Sequence, residues 1–169
     1  MTTSLRQLMP SAGLAPTWTA LPIRLIVGYG FMEHGFAKLG RGVGGFAHIL
    51  QAIGMPFPSL LAWSTVLIEI LGGLAILLGA FVALASIPMA VVLIVAILTV
   101  HLPNGFSSIK LQSFGPEGAH FGQPGYECDL LYLSGLAALV FGGAGPLSLD
   151  RLMSSRLKTA TENLRRRGQ

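Results

Sequence analysis

The chain has 169 residues, 52% of them hydrophobic and only 11% charged, with a formal net charge of +4. A soluble domain carries about 25% charged residues, so the composition excludes a disordered chain, argues against a water-soluble enzyme and points to an integral membrane protein. A nucleic-acid partner is not expected, because six of the eleven Lys and Arg residues lie after Ser148 and form one short basic tail.

Residues 1–19 hold no apolar core of signal-peptide length and are expected to stay in the cytoplasm. A bilayer core of roughly 30 Å needs about 20 mostly apolar residues per helix. Ala20–Leu39 fits one span, although it contains Arg24, Glu33, His34 and Lys38. Gly40–Ser59, rich in Gly and Pro, reads as a loop. Leu60–Leu102 is then mostly apolar, and as a single helix it would be roughly 65 Å long, about twice the core. It must fold back, and the turn is expected near Gly79–Ala85, with Pro88 in the first turn or so of the next helix. This predicts spans at Leu60–Leu78 and Leu84–Leu102. Pro103–Glu127 reads as a second long loop without a pattern of its own, and Leu130–Gly145 as a short, glycine-rich fourth span. After Leu147 the pattern changes: Ser148 can cap a helix, and Leu149, Leu152, Met153, Leu157, Ala160 and Leu164 recur near helical spacing beside a basic face. Residues 148–169 therefore read either as an amphipathic helix drawn to anionic lipid or as a solvated tail.

The expected fold is all-α: an integral membrane four-helix bundle over residues 20–147, with a C-terminal amphipathic helix. Eight Lys and Arg fall on the terminal side and three on the other, which predicts both termini in the cytoplasm.

Ionisable groups at bilayer depth cost about 2.5–3.5 kcal/mol each on insertion scales, so each needs a partner or a function. Glu69 lies about nine residues inside the second expected span, near the midplane. At about 100° per residue, Arg24, Gly28, Phe31, Gly35 and Lys38 share one stripe, with His34 at its edge and Glu33 on the opposite face. Gly72 and Gly73 follow Glu69 at i+3 and i+4, so the first two helices are expected to pack through small residues. The expected polar centre is an Arg24–Glu69 pair joined by His34 or Lys38. The alternative is that Arg24 and Lys38 extend to opposite interfaces and Glu69 is a neutral packing residue. No haem or metal is expected, because one cysteine and four scattered histidines make no recognisable ligand set; His34 and His101 both fall in the outer half and could face a haem, but there is no second His pair and a single His more often donates a hydrogen bond.

The run Arg24-Leu-Ile-Val-Gly28, then Met32-Glu-His-Gly-Phe-Ala-Lys38-Leu39, resembles the first helix of the DoxX family. Gly54-Met-Pro56 and Glu69-Ile-Leu-Gly72-Gly73 resemble its second helix and the approach to it, His101-Leu-Pro-Asn104-Gly105-Phe106 its third-helix exit, and Gly142 to Asp150 its ending. The resemblance covers roughly Pro22–Leu152. It implies a four-helix bacterial inner-membrane protein, with some relatives serving as subunits of quinone-linked oxidoreductases, among them thiosulfate:quinone oxidoreductase, and others associated with thiol and oxidative-stress enzymes. Arg24, His34, Lys38 and Glu69 fall on what look like the family's polar positions. Three roles follow as expectations: a subunit with oxidoreductase partners and a quinone at the polar centre; a non-catalytic anchor whose loop Pro103–Glu127 and basic tail recruit soluble partners; and a small-solute transporter, which the lack of an inverted repeat disfavours. Whether the chain is itself an enzyme stays open at this level.

Overall fold

The computed structural model describes residues 18–156. The expected cytoplasmic segment up to residue 17, and the tail beyond Arg156, lie outside the described residues.

Helix α1 (Ala20–Arg41) is followed by a short helix α2 (Val43–Ala52). Helices α3 (Pro58–Leu78) and α4 (Val82–Asn104) come next, joined by a tight turn at Gly79–Phe81. A hairpin of β1 (Leu111–Gly115) and β2 (Gly118–Phe121) leads to α5 (Glu127–Gly142), and a last helical segment, α6, covers residues 149–156.

The four expected spans thus appear as helices, with shifted limits. The fourth begins and ends three residues earlier than the apolar run suggested, because Glu127 and Asp129 occupy its first turn. There acidic side chains suit the positive end of the helix dipole. Pro88 sits farther inside its helix than expected, where it forfeits the backbone bond to the Leu84 carbonyl. The two expected loops are both structured. The first contains α2, whose Val43, Ala47 and Leu50 pack on Ala62 and Val66 of α3. The second contains the hairpin.

Among the described residues two helices, α3 and α4, are long and apolar enough to cross a membrane, with mean hydropathies of 2.1 and 2.7. The other two miss that measure for identifiable reasons. Helix α1 is long but carries Arg24, Glu33, Lys38 and Arg41, and α5 has 16 residues.

One core joins all four long helices: Val27 and Phe31 of α1, Ile76 of α3, Met89 and Leu93 of α4, Leu136 and Leu139 of α5. Helix α1 runs antiparallel to α3 in close contact. The Gly28 carbonyl lies where a Cβ on Gly73 would be 2.7 Å away, and the Gly73 carbonyl is equally close to a Cβ on Gly28. The small residues thus bring the two backbones together. Gly72 does not join this contact; it faces Met89 of α4.

Helices α3 and α4 each contain a π-helical turn, at Ile68–Gly72 and Ile97–His101. Such turns add a residue to the local ladder and are frequent at functional sites. Here the first contains Glu69 and the second His101.

Candidate functional site

The two ends of the molecule have different chemistry. At the base, where α1 begins and α3 ends, the Arg24 side chain is buried and all five of its N–H groups are used. Nε donates to the Ile76 carbonyl at 3.1 Å. One terminal nitrogen donates to the Ala144 and Pro146 carbonyls at 3.1 and 3.3 Å. The other donates to Leu77 at 2.7 Å and Leu147 at 3.2 Å. The last carbonyls of a helix have no partner within it, so Arg24 caps α3 and ties the segment after α5 to it.

Gly79 makes room for this arrangement. It has φ of +65°, and a Cβ there would lie 2.7 Å from the Arg24 Cζ and 2.5 Å from the Ser148 Cβ. Asp150 completes the base by accepting from the Phe81 and Val82 N–H groups at 2.7 and 3.1 Å, which caps the start of α4. Ser148 caps α6 as expected, its hydroxyl accepting from the Arg151 N–H at 3.3 Å.

Toward the other end lies the ion pair. Lys38 Nζ donates to both oxygens of Glu69, at 2.6 and 2.7 Å. Glu69 is buried, whereas about a quarter of the Lys38 side chain stays accessible. The ammonium also lies 5.3 Å from the centre of the Phe46 ring of α2, which faces it with the negative potential of the ring. Gly35, one turn before Lys38, is packed directly on Glu69 and Ile70, where a Cβ would lie 3.1 Å from the Glu69 Cβ and 2.6 Å from Ile70 Cγ1. A larger residue there would hold the helices apart and take Lys38 out of reach.

The expected Arg24–Glu69 pair is therefore not formed. Since α3 runs back along α1, the residues level with Arg24 are Ile76 and Leu77; Glu69 lies seven residues earlier than Ile76, roughly 10 Å along the axis. The alternative in which Lys38 extends away and Glu69 is a neutral packing residue gives way to a direct pair. His34 does not touch Glu69. It is exposed one turn before Lys38, and Glu33 beside it is exposed as well.

A second ion pair was missed at the sequence level. His101 Nδ1 meets the Asp129 carboxylate, joining the end of α4 to the start of α5. Asp129 is buried and its partner half-buried. The sequence carries a signal for it, since His101 closes the third expected span and Asp129 lies one residue before the fourth, between the expected loop Pro103–Glu127 and the span Leu130–Gly145. Among the described residues no cluster of three or more His, Cys, Asp or Glu could hold a metal.

Comparison with known proteins accounts for this frame. The DoxX family model matches residues 19–102. A protein described as "Uncharacterized membrane protein Rv3486", from Mycobacterium tuberculosis (strain ATCC 25618 / H37Rv), is 31% identical over 160 residues, which cover 84% of this chain and 91% of that relative. The chain belongs to the DoxX family. No solved structure gives a significant match. The family match begins just before α1 and ends within α4, so it contains Arg24, His34, Lys38 and Glu69 but neither Asp129 nor Asp150. In this DoxX chain the charged residues of the first two long helices thus serve two separate tasks, a capping staple at the base and an ion pair farther along.

Proposed function

We propose that this DoxX protein is a four-span subunit of a quinone-linked oxidoreductase complex in a bacterial inner membrane, with both termini cytoplasmic. The observation that carries the reading is the Lys38–Glu69 pair, held between α1 and α3. An ammonium has three donors, and Glu69 takes two of them. Among the described residues no third acceptor meets it, so a carbonyl oxygen, the group by which a quinone head is held in an apolar slot, can take that place. His34 lies at i−4 from Lys38, so their Cβ atoms are neighbours on the helix surface, roughly 5–6 Å apart. Both keep accessible side chains. A head group entering from the lipid would meet the imidazole and the ammonium together, with Glu69 behind them as a carboxylate able to take a proton. In this reading α1 and α5 also cross the bilayer; the carbonyl bonds of Arg24 and the Lys38–Glu69 pair lower the cost of those charges.

The test is quinone binding by the purified protein in nanodiscs. Wild type should retain a menaquinone or ubiquinone analogue, and Glu69→Gln and Lys38→Met should lose it while keeping their helical circular dichroism. Equal retention by all three proteins excludes a quinone site at this pair. A second reading, a non-catalytic anchor for soluble partner subunits, is favoured by the Arg24 staple, whose donors are all used within the chain. Its mark is a soluble partner that co-purifies in mild detergent without bound quinone or redox activity. Contact between the basic tail and anionic lipid remains part of both readings and is read out by binding to vesicles with and without phosphatidylglycerol.

A further inference from the structure

The hairpin has one apolar face that nothing in the described chain covers. Leu111 pairs with Phe121, Ser113 with His120, and Phe114 with Ala119, with an irregularity between Leu111 and Ser113. Opposed residues of an antiparallel pair share a face, and residues two apart on a regular strand do so too. Ala119 and Phe121 are two apart on β2, which has no bulge. Leu111, Phe114, Ala119 and Phe121 therefore lie on one face, and Ser113 and His120 on the other. The bulge in β1 is what brings Leu111 and Phe114 to the same side. Phe114 is 80% exposed, Leu111 61% and Phe121 60%.

The hairpin is not a loose loop. Its stem is clamped to the ends of both flanking helices: Tyr126 N–H donates to the Gly105 carbonyl, Glu127 N–H to Phe106, and Gly125 N–H to Ser107. The Asn104 amide donates to the Pro124 carbonyl, and the Glu127 carboxylate accepts from the Ser108 N–H. These bonds fasten the stem of the hairpin to the end of α4 and the start of α5. Exposed apolar residues also follow one another along the chain from α4 to the hairpin. Ile87, Val91, Ile94, Leu98 and Leu102 recur at i+3 and i+4 along one exposed face of α4, and Phe106 and Ile109 carry exposed apolar surface on toward β1. For a helix of this hydropathy such a stripe is the face turned to lipid.

We propose that the hairpin lies on the bilayer with Leu111, Phe114 and Phe121 sunk into the interfacial region of the leaflet where α4 ends, and with Ser113 and His120 turned to water. The occupant of the face is lipid, because exposed apolar residues lead to it along the chain from a lipid-facing stripe and its stem is fastened where that stripe ends. An isolated two-stranded hairpin is marginal in water, and burial of its apolar side in the interface supplies what a third strand or a helix would otherwise supply. The proposal rests on α4 crossing the bilayer, but not on a quinone site.

The test uses the full chain in nanodiscs on a Cys128→Ser background. Nitroxide labels are placed singly at Phe114→Cys, Phe121→Cys, Ser113→Cys and His120→Cys, with Leu98→Cys as the span control. Accessibility to oxygen, which concentrates in the bilayer, is compared with accessibility to a water-soluble nickel chelate. The expected result is an oxygen-to-nickel ratio several-fold higher at 114 and 121 than at 113 and 120. Equal ratios on the two faces, with Leu98→Cys still lipid-like, overturn the proposal and leave the span intact. Shielding of 114 and 121 from both reagents overturns it too and identifies a protein cover, a second copy or a partner. A water-like Leu98→Cys overturns the proposal together with the span on which it rests.

Discussion

Arg24 and Lys38 are both basic residues of α1, yet their surroundings require different side chains. Arg24 makes five hydrogen bonds to carbonyls of two separate segments. A lysine has three donors and no planar fork. Arg24→Lys should therefore leave at least two carbonyls without a partner and cost about 2–3 kcal/mol, at about 1 kcal/mol for each bond lost. Thermal unfolding in detergent checks it, and an unchanged midpoint would show that the staple is dispensable. Lys38 and Glu69 call for a double-mutant cycle. Glu69→Leu alone strands a partly accessible ammonium, and Lys38→Met alone strands a buried carboxylate, which is the costlier loss. For a fully buried pair such a loss is about 3–5 kcal/mol, and the exposure of Lys38 reduces it. The double variant should recover part of the stability lost by Lys38→Met; strictly additive losses would show that the two residues do not couple. At this scale the sequence was partly legible. Periodicity put Lys38 and Glu69 on facing stripes but could not say whether Arg24 or Lys38 was level with the carboxylate. That depends on the axial offset of α1 against α3, and no local pattern encodes it.

Elements meet here through small residues. Gly28 and Gly73 bring backbone against backbone, and a Cβ at Gly28 would come 2.7 Å from the Gly73 carbonyl and 2.8 Å from the Leu77 N. Those atoms belong to a helix and cannot swing aside. Gly28→Ala should force α1 and α3 apart, lowering stability and lengthening the Lys38–Glu69 contact nearly three turns along α1. A label pair at Phe36→Cys and Leu71→Cys on the Cys128→Ser background should report a wider separation in pulsed EPR, whereas an unchanged distance would mean that the helices slide rather than part. The glycine stripe was readable, since Gly28 and Gly35 share a face with Lys38 and Gly73 follows Glu69 at i+4. The division of labour between neighbouring glycines was not: Gly73 meets α1 and Gly72 meets Met89 of α4, which only the placement of a third helix decides. The capping role of Asp150 is not legible in the sequence for a related reason. Its role is to cap α4 from 69 residues away, and capping rules find partners within a few residues of the helix they serve.

For the whole molecule, the Arg24 staple brings residues 144–147 to the beginning of α1, so the first and last described segments lie at one end. The excess of Lys and Arg on that side predicts that this end is cytoplasmic. On a Cys128→Ser background, a membrane-impermeant thiol reagent applied to intact cells should label Ser113→Cys in β1 and leave Ser155→Cys in α6 unlabelled; the opposite pattern reverses the orientation. Composition and apolar run length alone determined that the chain is a helical membrane protein, and roughly where its four long helices lie, because the match between a hydrocarbon slab and an apolar stretch is a local property. The glycine-lined contact of the first two helices was also set locally, by the period of α1. Tertiary structure alone decided which charges pair, that His101 meets Asp129 across a loop, and that the segments between the long helices fold into α2 and a hairpin. Those outcomes depend on axial register and on distant partners: a carboxylate finds its cation through the packing of whole helices, and a hairpin gains an apolar face only when a bulge shifts one strand by a residue.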